Sequence, residues 1–394
     1  MQSVKILVSS MSNWLCRFLL VLLGEYLVHA LDPNDFLKST IAKHNYPVEL
    51  HPVSSDGYHL TMARVPKPGK PILFLMHSFL SSSTDFTVLG PKNSLAFEAF
   101  DSGFDVWLAN GRGNTFSRSH RSLHPSEMEF WDFSFHEVAT QDIPTMIDYV
   151  LNVTGRSKVH YVGHSQGGTN FLVMASMRPE YNRKIGSAHL SSPVAFWSRN
   201  TTPLSYFYDE VLMLTQFMKQ IRMYEIGSRT NRNLMEYVQM AIDGGCITHD
   251  MLMLAMGLLV GDHRETFNGT SLEAVLTVFP AGGSLRQGLH FLQTMKSERF
   301  CQYDYGEQEN LKRYGEVGPP DYALEKITAP VALYYGMNDP FLAISDLDLL
   351  AGKLPNLVLK HRLADLKWNH IDFIFGSHGS EAHQVVLKLA TEYE

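Results

Sequence analysis

The chain has 394 residues, 45% of them apolar and 19% charged. That is enough apolar material for a large packed core, which excludes a disordered or fibrous chain. The net charge of −7 is not broken by any Lys/Arg run, so no nucleic-acid partner and no anionic membrane surface is expected.

In chain order, residues 1–30 read first as a secretory signal. Lys5 and Arg17 precede the apolar run Phe18–Gly24, and Val28-His29-Ala30 supplies a small-residue cleavage site. The run is too short to span a bilayer and Glu25 interrupts it, so no integral membrane segment is expected after signal removal. Tyr58–Val65 alternates as an outer strand does. Pro71–Met76 and Phe104–Leu108 are short continuous apolar runs, suited to strands buried on both faces of a parallel sheet. Asn93–Phe100 between them has helical spacing. Glu137–Leu151 reads as a helix, Val159–Val162 as a strand, Gln166–Met177 as a helix and Ile185–Leu190 as a strand. This repetition of βα units predicts a doubly wound α/β sheet over residues 31–192. The rhythm then stops until the strand Val331–Tyr335. Residues 193–330 are far longer than an ordinary connection and are expected to form a helical cap or lid insertion. Within it, Asp209–Arg222 and Leu234–Ile242 are amphipathic and Met251–Val260 is strongly apolar. Their methionines suit helix packing, and also an adaptable surface for a hydrocarbon ligand. Residues 331–394 return to the sheet, with Leu357–Leu363 as the last strand and Glu381–Tyr393 as a closing helix.

The chemistry concentrates at Gly163-His164-Ser165-Gln166-Gly167, between a predicted strand and a predicted helix. A strand entering a sharp turn into a helix exposes a serine hydroxyl, and small neighbours are needed because the turn crowds strand against helix. Serine needs a base, and the base an orienting acid. In α/β hydrolases these follow in the order serine, acid, histidine. Asp339 lies on the turn after Val331–Tyr335 and is the expected acid; Asp346 and Asp348 are expected to be solvated surface charges. His370, just beyond the last strand, is the expected base, in preference to His361 inside a strand and His378 and His383 flanking the closing helix. Asp372 is expected to stabilise its own loop. The oxyanion hole should use the backbone N–H of Gln166 and, from the loop after Met76, that of Phe79. Asn152, Asn200 and Asn268 open N-glycosylation sequons. Loss of Cys16 with the signal leaves Cys246 and Cys301, which permits one bridge or two free thiols. Neither has a zinc-type spacing to histidine, and no cofactor or metal is expected.

These segments together resemble the acid lipase family, the secreted and lysosomal triacylglycerol and cholesteryl ester hydrolases. The likeness runs through Tyr46-Pro47, Asp56-Gly57-Tyr58, the 77–80 loop, Asp105–Asn114, Trp131–Ser134, the serine elbow, Phe279–Ser284, Tyr303–Gly306, Pro319-Pro320 and Asn369–Phe373. The resemblance implies an α/β-hydrolase core with a cap and lid, and a triad falling on Ser165, Asp339 and His370. Two positions depart from it: Ser78-Phe79 stands where the family reads Gly-Leu, and apolar residues around Leu252 and Val260 replace a cysteine pair in the cap. The expected function is a secreted serine lipase, with lysosomal delivery as the alternative location. Its partners would be lipid ester substrates, triacylglycerol or sterol ester, and transiently a lipid interface. The alternatives are an esterase on smaller acyl esters and a catalytically silent lipid-binding protein of the same fold.

Overall fold

The computed structural model describes residues 32–197, 208–227, 260–261, 274–275 and 277–394. The expected signal at 1–30, the sequons at Asn200 and Asn268, Cys246 and the stretches 234–242 and 251–259 lie outside these residues. A helix over Pro33–Ala42 opens the described chain.

The main sheet places its strands in the order β1 (Glu49–Ser55), β2 (Tyr58–Val65), β4 (Asp105–Ala109), β3 (Ile72–Met76), β6 (Val159–His164), β7 (Ile185–Ser191), β10 (Val331–Tyr335) and β11 (Leu357–Arg362). The short β5 (Ser119–His120) pairs with β2 off this path. From β4 to β11 all neighbours are parallel, whereas β1–β2 and β2–β4 are antiparallel. The continuous apolar runs have become β3 and β4, every residue of which is buried. The edge strand β11 is only half-buried. The alternating pattern of Tyr58–Val65 holds at its start, and the strand is then buried from Met62 onward, where β4 covers it. The fold is therefore the expected α/β class, a mostly parallel sheet flanked by helices.

The order reverses between β3 and β6: β3 leads to β4 on one side, β6 to β7 on the other. Ligands of open α/β sheets bind in the crevice beyond the strand ends at such a reversal. Register puts Met76 opposite Gly163, so the loops leaving β3 and β6 start side by side.

The predicted helix Glu137–Leu151 is interrupted. A turn at Phe135–Glu137 is followed by a π-type turn at Val138–Asp142 before the regular helix Ile143–Thr154 begins. Pro144 has no N–H to bond four residues back, so the ladder shifts there. The shift brings the Asp142 carboxylate under Arg112, which donates to it from Nη2 at 2.7 Å.

The main core runs from β1 to the helix Ile344–Lys353 and takes in Phe300, Tyr322, Leu324, Ile327 and Ala329. These residues fall inside the range expected for the insertion yet pack with Leu172 and Val173 of the central helix. A second apolar cluster joins Val194 and Trp197 to Leu285, Leu289, Leu292 and Met295 of the helix Leu285–Ser297, with Tyr208, Val211 and Leu212 of the helix Tyr208–Gln220 against it. A two-stranded ribbon, β8 (Glu225–Ile226) with β9 (Gly283–Ser284), leads into that helix. Ser284 caps it reciprocally with Gln287, and the Ser284 hydroxyl also donates to the Trp131 carbonyl at 2.6 Å.

Candidate active site

β6 ends in a turn whose tip, Ser165, sits at φ 52°, ψ −118°, a region that costs a residue with a side chain about 1–3 kcal/mol. The neighbouring glycines explain how the turn closes. A Cβ on Gly163 would lie 2.4 Å from the Gly167 carbonyl carbon, and one on Gly167 would lie 2.3 Å from the Met76 carbonyl oxygen. The helix Gln166–Met177 therefore starts directly against the loop that leaves β3. The Ser165 N–H donates to the Ser191 carbonyl at 2.8 Å, tying the turn to β7.

Three side chains from separate loops meet there. His370 Nδ1–H donates to Asp339 Oδ2 at 2.9 Å and lies 3.0 Å from Oδ1, while Ser165 Oγ lies 2.8 Å from His370 Nε2. With Nδ1 carrying the proton toward the carboxylate, the Nε2 lone pair faces the serine hydroxyl. All three residues are buried. Asp339 Oδ1 also accepts the Phe341 N–H at 2.9 Å, and the Phe341 ring packs on the imidazole with centroids 4.6 Å apart.

The histidine loop is held from both directions. Asp372 Oδ2 accepts the Asn369 N–H at 2.8 Å, and Asn369 Oδ1 accepts the Ile371 and Asp372 N–H groups, so Asp372 serves its own loop as expected. The His370 N–H donates to the Val260 carbonyl at 3.0 Å, and Asn369 Nδ2 donates to the Gly261 carbonyl at 2.8 Å. His164 is wedged between His370, at 5.3 Å, and a stacked Phe373. Burial, then the neighbouring His370, holds it well below the usual histidine range. It stays neutral and adds no second positive charge beside an imidazolium.

Behind the loop after β3 lies a polar network that sequence reasoning missed. His77 Nδ1–H donates to the Ser78 carbonyl at 2.7 Å, and its Nε2 accepts the Gly111 N–H at 3.1 Å. Asn114 donates to Asn110 Oδ1 at 2.9 Å, and that oxygen also accepts the Ser83 N–H. The Ser81 hydroxyl donates to Asp85, a carboxylic acid that burial pushes up to about 7. Burial pushes His77 down to about 4. The signal for this network was present in the 107–114 segment, where Asn110 and Asn114 flank Gly111-Arg112-Gly113 at the end of an apolar run. Ser78, which replaces the expected glycine, is not among the residues of positive φ. The left-handed residue of this loop is Leu80, at φ 57°, whose carbonyl accepts the Ala281 N–H at 2.6 Å. The Phe79 N–H has no acceptor among the described residues. Gln166, first residue of its helix, has no intrahelical acceptor for its own N–H.

The other candidates go elsewhere. His361 lies in β11 against the Tyr334 ring. His383 is taken by Glu98 and the Phe373 carbonyl. His378 caps the last helix, Gly379–Glu392. Asp348 pairs with Lys360 on the surface, but Asp346 is buried, contrary to expectation, because the helix Ile344–Lys353 turns that face inward with Leu347 and Leu350. Asn152 is exposed on its helix. Cys301 is a buried free thiol among the described residues. No group of side chains arranged to hold a metal occurs among those residues.

Residues 71–377 match the family described as "alpha/beta hydrolase fold", and residues 37–90 match a "Partial alpha/beta-hydrolase lipase region". The chain is 40% identical to Lipase 3 of Drosophila melanogaster over 89% of its own length and 91% of that protein's. It is 33% identical to gastric triacylglycerol lipase of Bos taurus, covering 88% and 89% of the two chains. Against human lysosomal acid lipase/cholesteryl ester hydrolase the identity is 32%, over 88% of each.

Proposed function

The chain belongs to the acid lipase family and is a lipase, a carboxylic ester hydrolase acting on lipid esters; from that premise we propose that it is a secreted serine lipase working through Ser165, His370 and Asp339. The observation that carries this reading is the unbroken line from Asp339 through His370 to the Ser165 hydroxyl.

Ser165 Oγ attacks the ester carbonyl as its proton passes to His370 Nε2. Asp339 holds the imidazole in the tautomer that can accept this proton and stabilises the charge it acquires. The Phe79 and Gln166 N–H groups bind the developing oxyanion; neither is taken by a carbonyl among the described residues, and Gln166 directly follows the serine. The imidazolium then protonates the leaving alcohol, giving an acyl-enzyme, and water repeats the sequence to release the fatty acid. Neutral His164 beside the base fits this cycle, because a charged neighbour would oppose formation of the imidazolium.

The insertion at 193–330 serves in this reading as a cap over the serine. Trp197, Phe291 and Phe341 form an aromatic chain from that side to the His370 ring, suited to an acyl chain of triacylglycerol or sterol ester. Met213, Phe217 and Ile221 lie four residues apart on one exposed stripe of the chain, with Leu214 beside it. Such a stripe supports transient contact with a lipid interface. No helix among the described residues is long and apolar enough to cross a membrane. Secretion rests on the signal pattern of residues 1–30 and the sequon at the exposed Asn152.

The test is labelling with a fluorophosphonate, followed by hydrolysis of emulsified and soluble esters of increasing chain length. Labelling lost in Ser165→Ala, with rates that rise with chain length and with an interface, is the expected result. Wild-type protein that neither labels nor hydrolyses any ester would overturn the assignment. Faster turnover of short soluble esters, with no gain at an interface, would make it an esterase on small substrates.

A further inference from the structure

The helix Leu285–Ser297 has two working faces. One meets the oxyanion loop: a Cβ on Gly288 would lie 3.6 Å from the Phe79 ring, and Phe291 packs against that ring at 6.1 Å. The other carries Leu285, Leu289 and Leu292, at i, i+4 and i+7, into a cleft of about 740 Å³ shared with the helix Tyr208–Gln220. None of Ser165, Asp339, His370 and Phe79 lines this cleft. It is distinct from the proposed site, since the helix turns Gly288 and Phe291 toward Phe79 and its leucines toward the cleft.

Its lining is amphipathic in an ordered way. The leucines, with Leu212, make an apolar wall, and the rest of the lining carries Lys219, Arg286 and Arg313 with Tyr303 and Tyr305. Arg286 stacks over Tyr303 at 4.4 Å and Tyr305 at 4.8 Å, donates to Asp132 and Tyr305, and keeps its Nε buried without a hydrogen-bond partner among the described residues. A buried guanidinium N–H left unmade costs free energy that an acceptor in the cleft would recover. Lys219, on the facing helix, also lines the cleft and makes no ion pair among the described residues. Arg313 also lies over Tyr305, at 4.2 Å, and is ion-paired with Glu309. Asp132 and Asp304 are the acidic residues on the lining, and Asp132 is already bound to Arg286. With Arg313 paired to Glu309 and Asp132 to Arg286, the Lys219 ammonium and the Arg286 Nε–H are the donors of the cleft left without an acceptor among the described residues.

We propose that this cleft binds the anion of a single-chain fatty acid, its carboxylate between Arg286 and Lys219 and its chain along Leu212, Leu285, Leu289 and Leu292. The choice of ligand rests on the lipase reading, since the reaction releases this molecule at every turnover. The geometry itself asks only for an anionic head on one hydrocarbon chain. Arg is suited to the head because its planar fork meets a carboxylate with paired N–H groups.

The experiment titrates sodium laurate, below its micelle concentration, into the full-length mature protein by calorimetry. One sample carries a dodecyl fluorophosphonate on Ser165, which fills the acyl channel; dodecanol serves as the uncharged control. Expected are one laurate bound per labelled chain, dodecanol at least about tenfold weaker, and a loss of about tenfold in laurate affinity in Lys219→Glu and Arg286→Gln. Lys219 is exposed, so Lys219→Glu keeps the fold, checked by its urea midpoint, if Arg286→Gln does not. Laurate binding abolished by the label, equal binding of dodecanol, unchanged affinity in Lys219→Glu, or no binding at all would each overturn the proposal. Failure of the label to react would sink the triad reading alone, because the variants and the dodecanol control still test the cleft on unlabelled protein.

Discussion

Around Ser165 the backbone itself sets positions and leaves no room for added atoms. Gly163 and Gly167 admit no Cβ, Ser165 sits at positive φ with its N–H bonded to Ser191, the loops after β3 and β4 are tied through His77 and Asn110, and the histidine loop is tied within itself through Asn369 and Asp372. The cleft on the other side of Leu285–Ser297 is assembled from side chains on two helices, with a partly exposed mouth and spare donors. The first region resembles a machined seat, tolerant of nothing larger. The second is a surface whose shape depends on flexible leucine, arginine and lysine side chains. Bond-making needs the seat, because reacting atoms must be placed within a hydrogen-bond length before the barrier falls. Holding an amphiphile needs only apolar area and a charge.

The sharpest way to separate the two regions is Ser165→Ala. It should lower kcat by about 10⁴- to 10⁶-fold on every ester while leaving the urea midpoint nearly unchanged. A residual rate within tenfold of wild type would mean that another group attacks the carbonyl. Next is Gly167→Ala, whose methyl meets the Met76 carbonyl. It should cost about 1–3 kcal/mol in urea unfolding and lower activity together with stability. Gly288→Ala, whose Cβ would find only ordinary contact distances, should cost far less. Equal effects at the two glycines would erase the contrast drawn here.

A third prediction concerns pH. Burial holds His77 and His160 down at about 4 and His189 and His290 at about 3. Their folded pKa values lie below the unfolded value near 6.5, so the stability they contribute is complete above pH 6.5. It is lost as pH falls through the window from 6.5 toward 4 and 3, as the unfolded chain takes up protons first. Asp85 has the opposite sense: raised to about 7, it disfavours the folded state as pH rises from about 4 through 7. Urea midpoints should therefore fall on acidification below pH 6.5, and Asp85→Asn should raise the midpoint most at pH 8. A midpoint unmoved by Asp85→Asn at pH 8 would show that burial does not disfavour this carboxylate behind the loop after β3.

The smallest effect is expected on the outer face. Phe217→Ser removes one exposed ring from the apolar stripe and should lower turnover of emulsified ester about threefold, leaving soluble short-chain ester unaffected. A matching loss on the soluble substrate would place Phe217 in the acyl path.

Much of this was legible in the chain as a string. The helix Gln166–Met177 falls where its spacing put it, and the strands at 72–76, 105–109, 159–164 and 331–335 lie within two residues of their apolar runs. Such patterns are local, set by how often a side chain must face inward. The start of the helix Leu285–Ser297 is not legible locally, because it depends on a Ser284 cap that is bonded to distant Trp131. Asp346 was misjudged as a surface charge because its burial is decided by what packs over its helix. In the loop after β3 the positive φ falls on Leu80 and not on Ser78, since backbone angles in a loop follow from where its ends are anchored.

Residue types, their order and their periodicity alone determined the fold class and nominated a serine, an acid and a histidine. Only the tertiary structure decided that His370 and not His361, His378 or His383 reaches Ser165 across 205 residues of sequence separation, and that Asp339 stands behind it. Periodicity is a property of neighbouring residues. Convergence depends on sheet register and on which strands lie side by side, and it is settled when the whole core packs.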